Sequence, residues 1–146
     1  MVKAMIVLAV CGAAVYGAAY GYGVLRVGQI ETLLSQRLAD AARPTPSEPV
    51  IDEAVVRKRL VDMAAAEGAQ VAPEDVEVRI EPLTPTNFEK LPAQARIAIG
   101  AVQGMKNWEA DAAFIAIRLT ARASWGPVRR EFVLERNGWV PKSALR

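Results

Sequence analysis

The stretch from Ala4 to Leu25, AMIVLAVCGAAVYGAAYGYGVL, carries no charged side chain and lies between Lys3 and Arg26. A helix rises about 1.5 Å per residue, so ~20 such residues match a hydrocarbon core ~30 Å thick. Residues 4–25 are therefore predicted to form a transmembrane helix behind a short tail at 1–3. The rest of the chain must then fold as a water-soluble domain held at a membrane surface. A retained signal anchor is the expectation. The alternatives are a cleaved signal sequence, for which Gly17-Ala18-Ala19 imitates a cleavage site, and a lipoprotein, for which Leu8-Ala9-Val10-Cys11 imitates a processing box.

Ala9, Ala13, Gly17 and Gly21 recur at every fourth position, so they form one stripe on a helix, ending in a GxxxG step. In lipid, where water provides no drive for association, small residues let two helices approach backbone to backbone. The stripe is a candidate helix–helix interface, although an Ala/Gly-rich anchor also produces such spacing by composition. Tyr20, Tyr22 and Arg26 stand where a membrane-interface belt is expected, rings in the acyl boundary and polar tips among headgroups. Lys and Arg counts on the two sides differ little, and long domains translocate largely regardless of charge. The expectation is a bacterial inner (cytoplasmic) membrane protein with a periplasmic or otherwise extracytoplasmic domain.

Composition narrows the chemistry. The formal net charge is +2, without the strong basic footprint of a nucleic-acid binder. The chain has no histidine, which removes Ser-His-Asp and Cys-His nucleophilic designs, histidine proton shuttles, the common zinc sets and histidine haem ligation. The one cysteine, Cys11, lies inside the apolar span. No GxGxxG, Walker loop or CxxC is present. No catalytic, cofactor-binding or metal-binding residue is assigned, and the chain is not expected to be an enzyme.

After the span, residues 26–43 are predicted to continue as an amphipathic helix, with Ile30, Leu33, Leu34, Leu38 and Ala41 on one stripe. That stripe could cover its own domain, a neighbouring copy or the membrane surface. Pro44, Pro46 and Pro49 break the helix, and 44–50 reads as a stiff extended linker before a domain at 51–146. Asp52 is placed to cap a helix, with Ile51 and Val56 spaced as a staple and Val56, Leu60, Met63 and Ala64 facing inward. Arg57, Lys58 and Arg59 are expected on a solvated face, and Gly68 as the left-handed residue that ends the helix. Pro73-Glu74-Asp75 is predicted to turn, and Val76–Ile80 alternates as a strand with one wet face.

Pro82, Pro85 and Pro92 punctuate a long connection pinned by Phe88 and Leu91. Ala95–Val102 is read as a strand, on the alternation of Ile97 and Ile99, although its alanines would also allow a short helix, with Met105–Asp111 as the next connection. From Ala112 to Ser124, Ile115, Ile117, Leu119, Ala121 and Ala123 fall on one face and Arg118, Thr120 and Arg122 on the other. Gly126-Pro127 turns the chain into a strand at Val128–Arg136, and Asn137-Gly138 signals a further hairpin turn into a short strand at Trp139-Val140. The fold class is α+β: a transmembrane helix extended by an amphipathic one, then a helix packed on a small, mainly antiparallel sheet. Arg118, Arg122, Arg129 and Arg130 share one predicted hairpin, with Glu131 and Glu135 available as counter-charges. They form either a salt-bridged sheet face or a docking patch for an acidic partner or anionic headgroups. Trp108, Trp125 and Trp139 are expected to pack at the core or its edges, and the carboxylates of Glu74, Asp75, Glu109 and Asp111 to solvate or cap turns.

A long N-terminal helix, half in the membrane and half amphipathic, followed by an antiparallel sheet, resembles the pilin layout. Residues 112–140, AAFIAIRLTARASWGPVRREFVLERNGWV, are similar to the closing hairpin of small pilin-like single-pass bacterial membrane proteins of unknown function. VAPEDVEVRI at Val71–Ile80 is similar to a motif that follows a helix in the same group. The chain departs from pilins in having no Gly-Phe processing site and no glutamate near the start of the span. The resemblance implies a membrane-anchored structural or accessory subunit of a cell-envelope assembly. Such a subunit would act by protein–protein interaction with other membrane proteins or with itself through the transmembrane helix, and not through nucleic acid. A membrane-tethered ligand- or lipid-sensing domain is the alternative.

Overall fold

The computed structural model describes residues 2–101 and 111–146. It is α+β. Helix α1 runs unbroken over the 36 residues Val2–Arg37. Every side chain from Lys3 to Tyr22 is exposed, and the first buried position is Gly23. This free portion is about 20 residues, or ~30 Å of helix, and it is long and apolar enough to cross a membrane.

From Gly23 onward the same helix belongs to the domain core. Val27, Leu34, Leu38 and Ala41 are each 1 % exposed, while Leu33 points outward at 39 %. The stripe predicted at 26–43 is therefore covered by the chain's own sheet and is not free for a neighbour. The helix ends at Arg37, and a 3-10 turn over Asp40–Ala42 follows.

Segment 44–50, predicted as an extended linker, folds instead into a tight turn in which Thr45 and Glu48 exchange backbone hydrogen bonds of 3.1 and 3.0 Å. Residues before and after it, such as Leu38 and Ile51, lie in one core. Arg59 explains why the prolines do not extend the chain. Its guanidinium donates to the carbonyls of Ala41 (3.3 Å), Arg43 (2.7 Å) and Glu48 (3.4 Å) and pairs with the Glu48 carboxylate at 2.7 Å. Lys58 is exposed as expected, but Arg57 and Arg59 are half-buried. Removing a charged donor from carbonyls turned toward it costs more than losing a surface pair. Arg59→Ala is thus expected to destabilise the fold by about 2–3 kcal/mol, read as a drop in the denaturant midpoint. Arg59→Lys should recover less than half of this, because an ammonium cannot span the fork of acceptors.

Helix α2 spans Glu53–Ala66. Asp52 caps it, its Oδ1 accepting from the Val55 N–H at 2.8 Å, and Gly68 leaves it at φ +87°. Ile51, Val56 and Ala64 are fully buried and Leu60 nearly so, while Met63 packs at the margin. Strands β1 (Ala69–Gln70) and β2 (Val76–Pro82) follow, separated by a 3-10 turn at Pro73–Asp75. A short helix α3, Pro85–Phe88, lies inside the proline-rich connection and is closed by a capping box between Thr84 and the buried Asn87. Helix α4 (Ala93–Ala101) precedes the long strands β3 (Ala112–Trp125) and β4 (Val128–Pro141).

The four-stranded sheet is antiparallel throughout. β3 is its centre, with β1 and β2 end to end along one side and β4 along the other. In-register pairs such as Val78↔Ile117 and Leu119↔Leu134 place one apolar face under α1 and α2. The opposite face is half covered: Leu83, Leu91 and Ile99 close over Ala112 and Phe114 in a second, smaller cluster. The other half of that face is wet.

Two sequence expectations fail here. Residues 95–101 are helix, not strand: Ile99 is 2 % exposed and Ile97 70 %, so one helical face is buried, and the alanines supply the propensity. Asn137-Gly138 is not a turn, because β4 passes straight through it with Gly138 opposite Ile115. Only Gly68 and Gly126 have positive φ among the described residues, so the type I′ geometry that Asn-Gly signals is absent at that position. A partner strand of 14 residues holds the segment extended. Most of the predicted Met105–Asp111 connection, with Trp108 and Glu109, lies outside the described residues.

Candidate functional site

The exposed half of α1 carries the small-residue stripe. Ala9, Ala13, Gly17 and Gly21 are all exposed, and a Cβ built at Gly17 or Gly21 would meet nothing within 4 Å. The domain leaves this face of the helix backbone open along its whole length.

Gly23, two residues further, does the opposite. A Cβ there would lie 2.7 Å from the Trp125 carbonyl oxygen and 2.8 Å from Val128 Cγ2. The tip of the β3–β4 hairpin thus presses its backbone against the helix, an approach only glycine permits. Two of the three interface residues predicted from sequence, Tyr22 and Arg26, lie beside that contact. The Tyr22 and Trp125 rings meet edge to face at 6.1 Å, and the Arg26 guanidinium lies 4.9 Å above the Trp125 ring. Tyr20 stays exposed and apart from the domain. Sequence reasoning missed Gly23 and Trp125 as partners, because nothing local distinguishes Gly23 from Gly17 or Gly21.

The four arginines do not form one patch. Adjacent strand residues point to opposite faces, so Arg129 and Arg130 cannot share one. Arg118, Arg122 and Arg129 are on the wet face, whereas Arg130 is on the helix-covered face and pairs with Glu31 of α1 at 3.1 Å. Arg118 pairs with Glu135 at 3.4 Å. Arg122 meets Glu131 at 2.8 Å and Asp75 at 3.4 Å, and the hydrogen bond to Glu131, then the Asp75 charge, raise its pKa above the ordinary arginine value. Arg129 makes no ion pair among the described residues. This face is a salt-bridged lattice of exposed pairs, each worth little.

An open groove of about 440 Å³ runs between α4 and the end of β4, with Ala95, Ala98 and Trp139 on its walls and Arg43 and Arg136 at its rim. Among the described residues no group of histidine, cysteine, aspartate or glutamate side chains could hold a metal ion, and no buried side-chain polar atom lacks a partner. The chain matches no protein-family model, no curated protein and no solved structure.

Proposed function

We propose that this chain is a single-pass membrane-anchored structural or accessory subunit of a bacterial cell-envelope assembly, acting by protein–protein contact within the membrane. The observation that carries this reading is the open stripe at Ala9, Ala13, Gly17 and Gly21, all of it exposed and short of the first contact of the helix with its own domain at Tyr22 and Gly23. The amphipathic half of α1 is consumed by the core, so the span is the part of that helix left for a partner. The domain is assigned to the extracytoplasmic side of the inner membrane, and the resemblance to pilin-like proteins supports the architecture without the prepilin processing route.

The test is crosslinking in native membranes, with single cysteines at positions 9, 13, 17 and 21 and at Val7 and Val15 for comparison, all in a Cys11→Ser background. The expected result is a crosslink yield several-fold higher on the stripe, to one dominant protein or to a second copy. Equal yields on all faces would reduce the span to a plain tether. The second reading, a tethered ligand- or lipid-sensing domain, rests on the groove beside α4. A small molecule retained there through purification and lost on Trp139→Ala would favour it.

A further inference from the structure

The β3–β4 tip sits at a particular height on α1. A hydrocarbon layer of ~30 Å beginning at Ala4 takes up about 20 helical residues and ends near Gly23. The tip touches α1 at that point, through the Trp125 carbonyl and Val128 against Gly23. Hairpin and helix therefore reach the edge of the apolar layer together.

The exposed chemistry of the tip matches that level. Trp125 remains 42 % exposed despite its contacts with Tyr22 and Arg26, and Gly126 and Pro127 beyond it are exposed. An indole half-packed on a helix at this depth presents an apolar ring to the acyl boundary and an N–H to the headgroups. Arg26 lies over its ring, and Arg129 stands near the tip on the opposite face of the sheet, across from Ser124; neither has a carboxylate partner among the described residues, whereas Arg130 is neutralised by Glu31. Guanidinium groups with no carboxylate partner at the level of an interfacial aromatic suit phosphate-bearing headgroups.

We propose that the hairpin tip Trp125-Gly126-Pro127 is a second membrane-contacting element, seated in the headgroup layer beside the span, with Arg26 and Arg129 at lipid phosphates. This rests on the reading of residues 4–25 as a membrane anchor. It adds an attachment about 100 residues away in sequence, on the sheet rather than on the helix.

The test uses the full chain in vesicles of phosphatidylethanolamine and phosphatidylglycerol, in a Cys11→Ser background. Nitroxide labels are placed one at a time at Val15→Cys in the span, Ser124→Cys at the tip and Glu89→Cys at the far end of the sheet. Collision rates with oxygen and with a water-soluble nickel chelate give the depth of each label. The expected result is a lipid-immersed label at 15, a fully hydrated label at 89, and a label at 124 with at least threefold fewer nickel collisions than at 89. A lipid-immersed label at 15 with equal nickel access at 124 and 89 overturns the tip contact and leaves the anchor standing. A hydrated label at 15 overturns both. Trp125→Ala should restore nickel access at 124 without changing the label at 15; if access stays low, the indole is not what holds the tip.

Discussion

A chain that begins at Pro44, the first of the prolines that follow the N-terminal helical region, will not fold. It looks from the sequence like the natural soluble fragment, since it contains α2, the whole sheet and α4. It lacks Val27, Leu34, Leu38, Ala41 and Ala42, all buried in the main core against the sheet. Truncating one large buried aliphatic side chain costs about 2–5 kcal/mol. Losing three, with two alanines besides, removes roughly 6–15 kcal/mol, the whole stability of an ordinary domain at ~5–15 kcal/mol. The fragment also loses the Ala41 and Arg43 carbonyls that Arg59 grips, and the ion pairs of Glu31 with Arg130 and Arg37 with Glu67. A chain that begins at Gly23 keeps all of these. The comparison is made by amide NMR dispersion and thermal melting: 23–146 should give a dispersed spectrum and a cooperative transition, and 44–146 neither. A cooperative melt of 44–146 would show that α2 and the sheet complete a core without the helix.

Replacing Gly23 by leucine should open the end of the sheet that abuts α1 at the β3–β4 tip. Intrinsic propensity argues the other way, because leucine is favoured over glycine inside a helix by roughly 0.7–1 kcal/mol. Contact decides the sign. The first carbon of any side chain at 23 would stand 2.7 Å from a backbone oxygen, which cannot rotate aside as a side chain can. Overpacking of this kind costs typically about 1–3 kcal/mol, and a leucine has three further carbons to place. The expected outcome is a net loss of about 1–3 kcal/mol, concentrated at the tip. Hydrogen exchange followed by mass spectrometry should show faster exchange in peptides covering 119–133. Gly21→Leu is the matched control, since nothing lies within 4 Å of a Cβ there. It should leave exchange unchanged and instead abolish the stripe-specific crosslinks proposed for the span. Unaltered exchange in Gly23→Leu would mean that the hairpin tip can back away from α1 without cost.

These two glycines show where sequence reading works and where it stops. Local chemistry was legible: the Asp52 cap, the left-handed Gly68, the alternation of Val76–Ile80 and of Ala112–Ser124, and the Gly126-Pro127 turn are each set by residues within a few positions of one another. The failures come from distant partners. Asn137-Gly138 has the composition of a turn, but β3 runs alongside and pairs with both residues. Ile97 and Ile99 alternate like a strand, yet burial of Ile99 against Leu83 and Leu91 selects the helix that the alanines already allowed. The arginine patch divides for a reason that was available, since neighbours in a strand face opposite ways. Gly23 was hidden because its partner, Trp125, is about 100 residues away and no pattern on α1 announces it.

Because α1 contains no proline and no break between its exposed apolar half and the core, it behaves as a lever. Transmembrane helices tilt by about 20° on average, and such a tilt moves the far end of a ~22 Å segment from Gly23 to Arg37 sideways by roughly 8 Å. A domain on a flexible tether would absorb that motion in its linker. Here the sheet is bolted to the shaft, so, with the exposed half spanning a bilayer as proposed, the angle of the span there is also the angle at which the sheet is presented outside it. On that reading, a change in bilayer thickness, or in the proposed packing around Gly17 and Gly21, becomes a change in the orientation of every surface the domain displays.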